Sequence, residues 1–353
     1  MSTIIPETVH VQRPGHVVLR GRFFDLRFHW SVLVLALFGL GATFVIGIWA
    51  MTLGAVPIPP MEVFWATIGM SDAQSAFVVQ ELRLPRVLVA IMVGGALALS
   101  GAIFQGLVRN ELASPDIIGI NTGAAGVGFV FLLITRDATH LPVVLFAGAM
   151  ATAAIIYSLS WKGGISPNRL ILVGVAVQSM MVAIETFMVR RFPLDDIIWA
   201  EDMLLGTIAF AEWSDVGTLA AGLVVLIPCA LLMAWPLRAL QLGDDTARTV
   251  GIPVEWIRFL LMVVGCWLCA LAISVAGLVG FVALMVPHAA RMIAGPISAS
   301  VMVFTFVLGG IFLLGADIIA HHFMPIGLPL SVVIGAVGAP YFLFLFWRAE
   351  VRV

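Results

Sequence analysis

Apolar residues run along this chain in long blocks separated by short polar breaks. Blocks of spanning or near-spanning length fall at roughly 31–53, 87–108, 117–134, 141–160, 170–189, 216–235, 259–276, 278–294, 300–320 and 328–347, judged against the roughly 20 residues that cross a hydrocarbon core. The third, seventh and eighth are short. Only Gly277-Leu278-Val279-Gly280, a candidate tight turn, divides the seventh from the eighth. The pattern predicts an all-α integral membrane protein of about ten transmembrane helices. Residues 1–30 read as a polar tail, 31–347 as one transmembrane domain and 348–353 as a second tail.

Composition agrees. Hydrophobic residues make up 61% of the 353 and charged residues 11%, too little polar surface to solvate a globule of this size. The stretch from Glu81 to Gly126 adds a packing signal, because Gly and Ala recur inside an apolar run. Small residues let membrane helices approach closely. The N-terminal stretch carries Arg13, Arg20, Arg22 and Arg27 before the first block. It is too long and too charged for a signal peptide, and the block lacks the usual small-residue cleavage site.

The net charge of −2 excludes nothing by itself, but its distribution orients the chain. Ten spans put both termini on one side. With that side cytoplasmic, 13 of the 18 Lys and Arg residues face inward, as the positive-inside rule requires. Arg83, Arg86, Arg136, Arg190 and Arg191 fall outside. Both termini are therefore expected in the cytoplasm, and the protein in the cell membrane.

Three polar landmarks interrupt the apolar pattern. Arg83 and Arg86 flank Leu84-Pro85 at the outer start of the second block, and Arg109-Asn110 closes that block before a turn at Ser114-Pro115. The inner loop 236–258 contains Leu-Gly-Asp-Asp-Thr-Ala-Arg-Thr-Val-Gly-Ile-Pro. It reads as a short helix at about 242–253, with Asp244 or Asp245 capping its start and Gly251 with Pro253 ending it. Such a helix is either a solvated connector or a docking element for another protein. The third landmark, Gly277 to Gly295, carries His288 and Arg291, which read as an interfacial anchor pair without a second metal ligand at helical spacing.

Other features carry less. Cys266 and Cys269 have CxxC spacing but lie inside a span, where they pack as small residues. Glu185 sits in the fifth span and either lines a pathway or hydrogen-bonds within the bundle. Asp317 reads as a structural acceptor near the outer end of the ninth span. No GxxxxGK[ST] phosphate loop occurs, so the chain is not a P-loop ATPase. No catalytic constellation, cofactor motif or nucleic-acid signal stands out.

Together these words resemble the FecCD family, the permease subunits of ATP-driven importers for ferric siderophores, haem and vitamin B12. The matching stretches are Arg83 to Arg86, Gly94 to Gln105, Arg109 to Pro115, the Leu242–Gly251 segment, Phe281 to Arg291, Asp317, and Gly335 to Pro340. They run in the family's order over about residues 81–345. The Ser-Pro-Asp-Ile-Ile-Gly-Ile-Asn-Thr-Gly-Ala wording looks most like enterobactin-type catecholate permeases.

The resemblance implies a type II ABC importer permease fold of ten helices. It implies a complex of two permeases and two ATP-binding subunits, fed by a periplasmic or lipid-anchored binding protein and moving a ferric siderophore. The catecholate likeness favours a homologous but distinct second permease. Arg83 and Arg86 match the family's docking arginines for the binding protein. A third docking position falls at His321, which with His322 either pairs with a carboxylate or caps the helix end. Leu242, Gly243, Asp244, Asp245, Ala247, Arg248 and Gly251 match the coupling helix that seats in the ATPase. Asn110 and Leu112 match the inner gate turn. Pro167 and Asn168 fall at the second gate turn, where Pro167 departs from the family's Ser or Thr. Gly327 and Ser331 depart as well, near the start of the last span. The competing class is a proton-coupled secondary transporter with Glu185 and Asp317 as relay groups, and the coupling-helix wording argues against it.

Overall fold

A computed structural model describes residues 16–20, 25–54, 56–162, 164, 166–324 and 328–350. Arg13, Arg22, Gly327, Arg352 and both chain ends lie outside the described residues. The chain opens with an antiparallel hairpin, β1 His16–Arg20 and β2 Asp25–His29, in a register that opposes Val17 to Phe28 and Leu19 to Leu26. Then follow α1 Trp30–Thr52, α2 Pro60–Thr67, α3 Ala73–Phe77 and, after a π-helical turn at Val78–Arg83, α4 Leu84–Val108. Next come α5 Pro115–Ile118, α6 Ile120–Thr135, α7 Leu141–Ser160, α8 Pro167–Arg191 and α9 Leu194–Leu204. The remainder is α10 Trp213–Leu232, α11 Ala234–Gln241, α12 Asp244–Thr249, α13 Val254–Ala276, α14 Val282–Ala294, α15 Ala299–Ile318 and α16 Leu330–Glu350.

Among the described residues, seven helices are long and apolar enough to cross a membrane. Three shorter apolar helices, Ile120–Thr135, Val282–Ala294 and Leu330–Tyr341, complete the ten expected from the sequence. Two expectations needed correction. The seventh span is not short, because α13 starts at Val254 rather than near 259. Glu255 and Arg258 lower the local hydropathy there, but Arg258 is buried in protein rather than left at a lipid boundary. The expected tail 1–30 also contains the hairpin, whose second strand leads directly into α1.

The core is built around α4. Of its 25 residues, 20 are buried, and it packs against α15, α13, α14 and α10. Small residues make this possible. Gly94 of α4 and Gly309 of α15 face each other so closely that a Cβ on either would stand 2.2 Å from the other's carbonyl oxygen. At Gly101 a Cβ would stand 1.8 Å from the carbonyl oxygen of Ala283 on α14. These contacts join backbone to backbone, the mode small residues permit between membrane helices.

Two helices are too short to span alone. At 1.5 Å per residue, α6 is about 24 Å long and α14 about 20 Å, against a core of about 30 Å. Irregular backbone precedes α5 and α6 at residues 109–114 and α14 at residues 277–281. Within a bundle such backbone is tolerated where protein covers and pairs it, as beside residues 277–281. Leu278 N donates to Leu204 O at 3.3 Å, and Thr207 N to Ala276 O at 2.9 Å.

The elements sort to two ends of the bundle. His29 N donates to Ser300 Oγ, which places the start of α15 beside the hairpin. The end of α4, α12, the start of α13 and the end of α14 share this hairpin end. At the opposite end lie α2, α3, α9 and two π-helical turns, Val78–Arg83 and Ile319–Phe323.

Candidate functional site

At the hairpin end, α4 stops because Arg109 adopts a left-handed conformation, φ 57°. Asn110 then folds the chain back. Its Oδ1 accepts from Leu112 N at 2.9 Å, and its carbonyl accepts from Ala113 N at 3.1 Å, the local bonding that makes Asn a turn residue. Ser114 closes the turn by accepting from Ile117 N at 3.3 Å, capping α5. The expected gate residues Asn110 and Leu112 thus sit in a defined turn between α4 and α5.

The second expected gate turn is at the same end. Pro167 occupies the first turn of α8 and Asn168 is exposed. Arg169 braces this start by donating to Gly164 O at 2.8 Å. The two regions join two turns further in, where Gly174 of α8 packs on the Ile118 carbonyl.

A short helix is present where one was expected, and it is shorter than read, Asp244–Thr249. It ends as expected, with Gly251 at φ +81° and its N–H bonded to Arg248 O at 3.0 Å. Its start differs. Gly243, at φ +121°, is the N-cap, and neither Asp244 nor Asp245 caps the helix. Asp244 Oδ1 instead accepts from Arg258 at 2.9 Å and from Arg109. Ala247 is buried, while Leu242, Asp245, Arg248 and Gly251 are exposed. The seven residues therefore divide by role. Gly243, Asp244 and Ala247 hold the helix to the bundle, and Leu242, Asp245, Arg248 and Gly251 face outward with Val250.

Partial burial pushes the Asp244 carboxyl up, but the hydrogen bond and charge of Arg258 and the charge of Arg109 outweigh it and hold the carboxyl below its ordinary value of 3.8. A depressed carboxylate stabilises the fold above its unfolded value and ceases to do so as the pH falls through the folded value. Wild-type protein in detergent should therefore melt above Asp244→Asn by a constant margin well above pH 3.8. The margin should close as the pH drops below that value. Thermal melting across the acid range checks this, and a margin that widens on acidification contradicts the clasp.

Glu111, between Asn110 and Leu112, went unread in the sequence. It lies 3.1 Å from His288 Nδ1 and 4.0 Å from Arg291 Nη2. The pair expected to anchor at an interface instead faces the turn. A second unread contact lies deeper, where the Cys269 thiol donates to Asn121 Oδ1 at 3.1 Å and Asn121 donates to Asp116. Cys266 and Cys269 are free thiols buried in α13. Among the described residues no group of three or more His, Cys, Asp or Glu forms a metal site.

The other candidate residues gather at the opposite end. Arg83 donates to Met51 O and, at 2.6 Å, to Val56 O. Arg86 grips Asp317 through two bonds, Nε to Oδ2 at 2.9 Å and Nη2 to Oδ1 at 2.7 Å. His321 Nδ1 stands 4.0 Å from the same carboxylate. The structure thus brings Arg86 and His321 together around Asp317, and it engages both arginine heads within the chain. Glu185 sits half-buried on α8, facing Gly126 of α6.

Comparison with known proteins follows the same lines. The FecCD transport family matches residues 42–348. The achromobactin transport system permease protein CbrC of Dickeya dadantii is 37% identical over 300 residues, covering 84% of this chain and 86% of that protein. The ferric enterobactin transport system permease protein FepG of Escherichia coli is 37% identical over 316 residues, covering 89% and 96%. A solved structure described as a metal-chelate type ABC transporter in an inward-facing conformation superposes with a TM-score of 0.81 at 24% identity, over 90% of this chain and 99% of that one. That likeness establishes the fold. The match over most of the chain, together with ten apolar helices among the described residues and no ATP-binding loop in the sequence, places the protein in the FecCD transport family as a multi-pass, membrane-spanning permease subunit of an ATP-driven importer, with ATP hydrolysis left to a separate subunit.

Proposed function

We propose that this permease moves a ferric siderophore from a binding protein into the cytoplasm, with the hairpin end facing inward. Two permeases, the second homologous and non-identical, and two ATP-binding subunits form the working complex. The outward residues of α12, namely Leu242, Asp245, Arg248, Val250 and Gly251, seat in an ATP-binding subunit. The turns at Asn110–Leu112 and Pro167–Asn168 form the inner gate. The end carrying Arg83, Arg86 and His321 receives the binding protein.

The observation that carries this reading is α12 itself. A short helix stands on the rim of the bundle with its inner face clamped by the Asp244 pairs and its outer residues exposed, where Arg248 makes loose contacts of 3.8 Å with Asp245 and Glu255. Such a helix transmits displacement between a soluble motor and a membrane domain. The cargo follows from the two relatives, whose names specify a siderophore. The orientation is supported by the sequence, in which the ten-span reading assigns 13 of the 18 basic residues to the side taken as cytoplasmic. The secondary-transporter reading loses ground, since its relay candidate Asp317 is committed to Arg86.

Replacing residues 244–251 by a Gly-Ser linker of equal length should abolish co-purification of the ATP-binding subunit and uptake of radioactive iron presented as ferric siderophore. A cysteine at position 168 should react with an impermeant maleimide in inverted vesicles and not in right-side-out cells. Retention of both ATPase binding and uptake would falsify the assignment of α12, and labelling from outside only would reverse the orientation.

A further inference from the structure

The gate turn is held from two sides by charged residues that flank Asn110. Arg109 precedes it and pairs with Asp244, the first residue of α12, across 135 positions of sequence. Glu111 follows it and pairs with His288 and Arg291 of α14. The Asp244 carboxylate is fixed from behind by Arg258 of α13, whose side chain is only 3% exposed. Arg109, Asp244 and Arg258 thus form one continuous chain of ion pairs from the core of α13 through the coupling helix to the gate turn. α14, on the other side, is preceded by the non-helical segment 277–281, where Gly277 and Phe281 both have positive φ.

We propose that Arg109 and Glu111 are positioning residues that convert displacement of α12 into movement of the Asn110–Leu112 turn. The proposal rests on the reading of α12 as the ATPase contact and adds how its motion reaches the gate. Backbone continuity cannot supply the link, because α12 and the turn are far apart in sequence. Apolar packing transmits motion without direction, whereas a guanidinium–carboxylate pair is directional. The Arg109–Asp244 pair joins the turn to the element that moves. The Glu111 pairs join it to α14, so the turn responds to the difference between the two. Arg109 is strained for this task, since a bulky residue at φ 57° is uncommon, and glycine or asparagine would fill the position more easily if only the turn mattered.

The test uses the full complex of both permeases, ATP-binding subunits and binding protein in proteoliposomes. Arg109→Asn tolerates the left-handed backbone and removes the cation. It should retain ATPase co-purification and ATP hydrolysis while siderophore uptake per ATP falls by about tenfold, the scale of a typical coupling free energy. Arg109→Lys keeps the charge and should retain most of the uptake. In a Leu112→Cys background, maleimide labelling should differ between nucleotide-free and ATP-bound complexes, and Arg109→Asn should erase that difference. Glu111→Gln should give the same pattern and serves as the second variant if Arg109→Asn does not assemble.

A coupled wild type whose Arg109→Asn variant keeps its uptake per ATP and its nucleotide-dependent labelling overturns the relay alone. If both variants lose the ATP-binding subunit, the pairs are assembly contacts, and the relay is again overturned. A complex whose permease carries the Gly-Ser linker in place of residues 244–251 and still binds its ATPase overturns the underlying reading and the relay with it.

Discussion

Gly101→Val is expected to leave almost no folded permease in the membrane. A Cβ at this position would stand 1.8 Å from the Ala283 carbonyl oxygen, 2.6 Å from its carbon and 2.8 Å from its Cα. All three are backbone atoms of α14, so no side chain can rotate aside. Relief requires α4 and α14 to separate, yet α4 is buried along nearly its whole length. Overpacking a well-filled core usually costs about 1–3 kcal/mol. A forced backbone separation adds the loss of every contact along the seam, enough to exceed the about 5–15 kcal/mol that holds a typical fold. Gly309→Val should behave alike, since it meets the Gly94 carbonyl at 2.2 Å. Gly41→Val supplies the control, because nothing lies within 4 Å of a Cβ there. The amount of monodisperse protein recovered after detergent extraction reads the effect. Recovery of Gly101→Val at the level of Gly41→Val would sink the claim of close approach.

That glycine shows what the sequence could and could not disclose. The abundance of small residues between Gly94 and Gly106 signals close helix packing, because bulky side chains would serve better against lipid. It does not identify the partner, and the contact of Gly101 with Ala283 crosses more than 180 residues. Span positions were legible because hydropathy averages over a whole helix. α2, α3, α9 and α11 were not, because they are 5 to 11 residues long and vanish in a window of about 19. The C-terminal end of α12 was legible because Gly251 and Pro253 act locally. Its start was misread because Asp244, a good cap by type, is taken by arginines at positions 109 and 258.

The polar residues follow one rule. Several, expected from the sequence as an anchor, a docking head or a cap, have partners far along the chain. His288 and Arg291 face Glu111, and Arg86 faces Asp317 across 231 positions. Charged groups near membrane depth are expensive to leave unpaired, so pairing was to be expected. Periodicity names the faces of helices and not which faces meet.

Removing the Arg86–Asp317 pair is expected to separate the two roles that its position invites. The bonds are bidentate, and the side chains are 19% and 9% exposed. Deleting one partner of a buried pair costs about 3–5 kcal/mol, because the other is left charged without compensation. Arg86 still reaches water, which screens part of that, so about 2 kcal/mol is the expected loss for Arg86→Ala or Asp317→Ala. A drop in melting temperature of both single variants in detergent reads it. The double variant Arg86→Met with Asp317→Leu should recover most of the loss, since apolar replacements of similar volume often match a buried ion pair. This stable double variant then tests docking. If binding-protein affinity and its salt dependence are unchanged, Arg86 serves the fold alone and docking rests on other residues of that end. If affinity falls while stability holds, Arg86 shares its guanidinium between Asp317 and a carboxylate of the binding protein. Only the double variant can distinguish the two, because the single variants damage the fold on which docking depends.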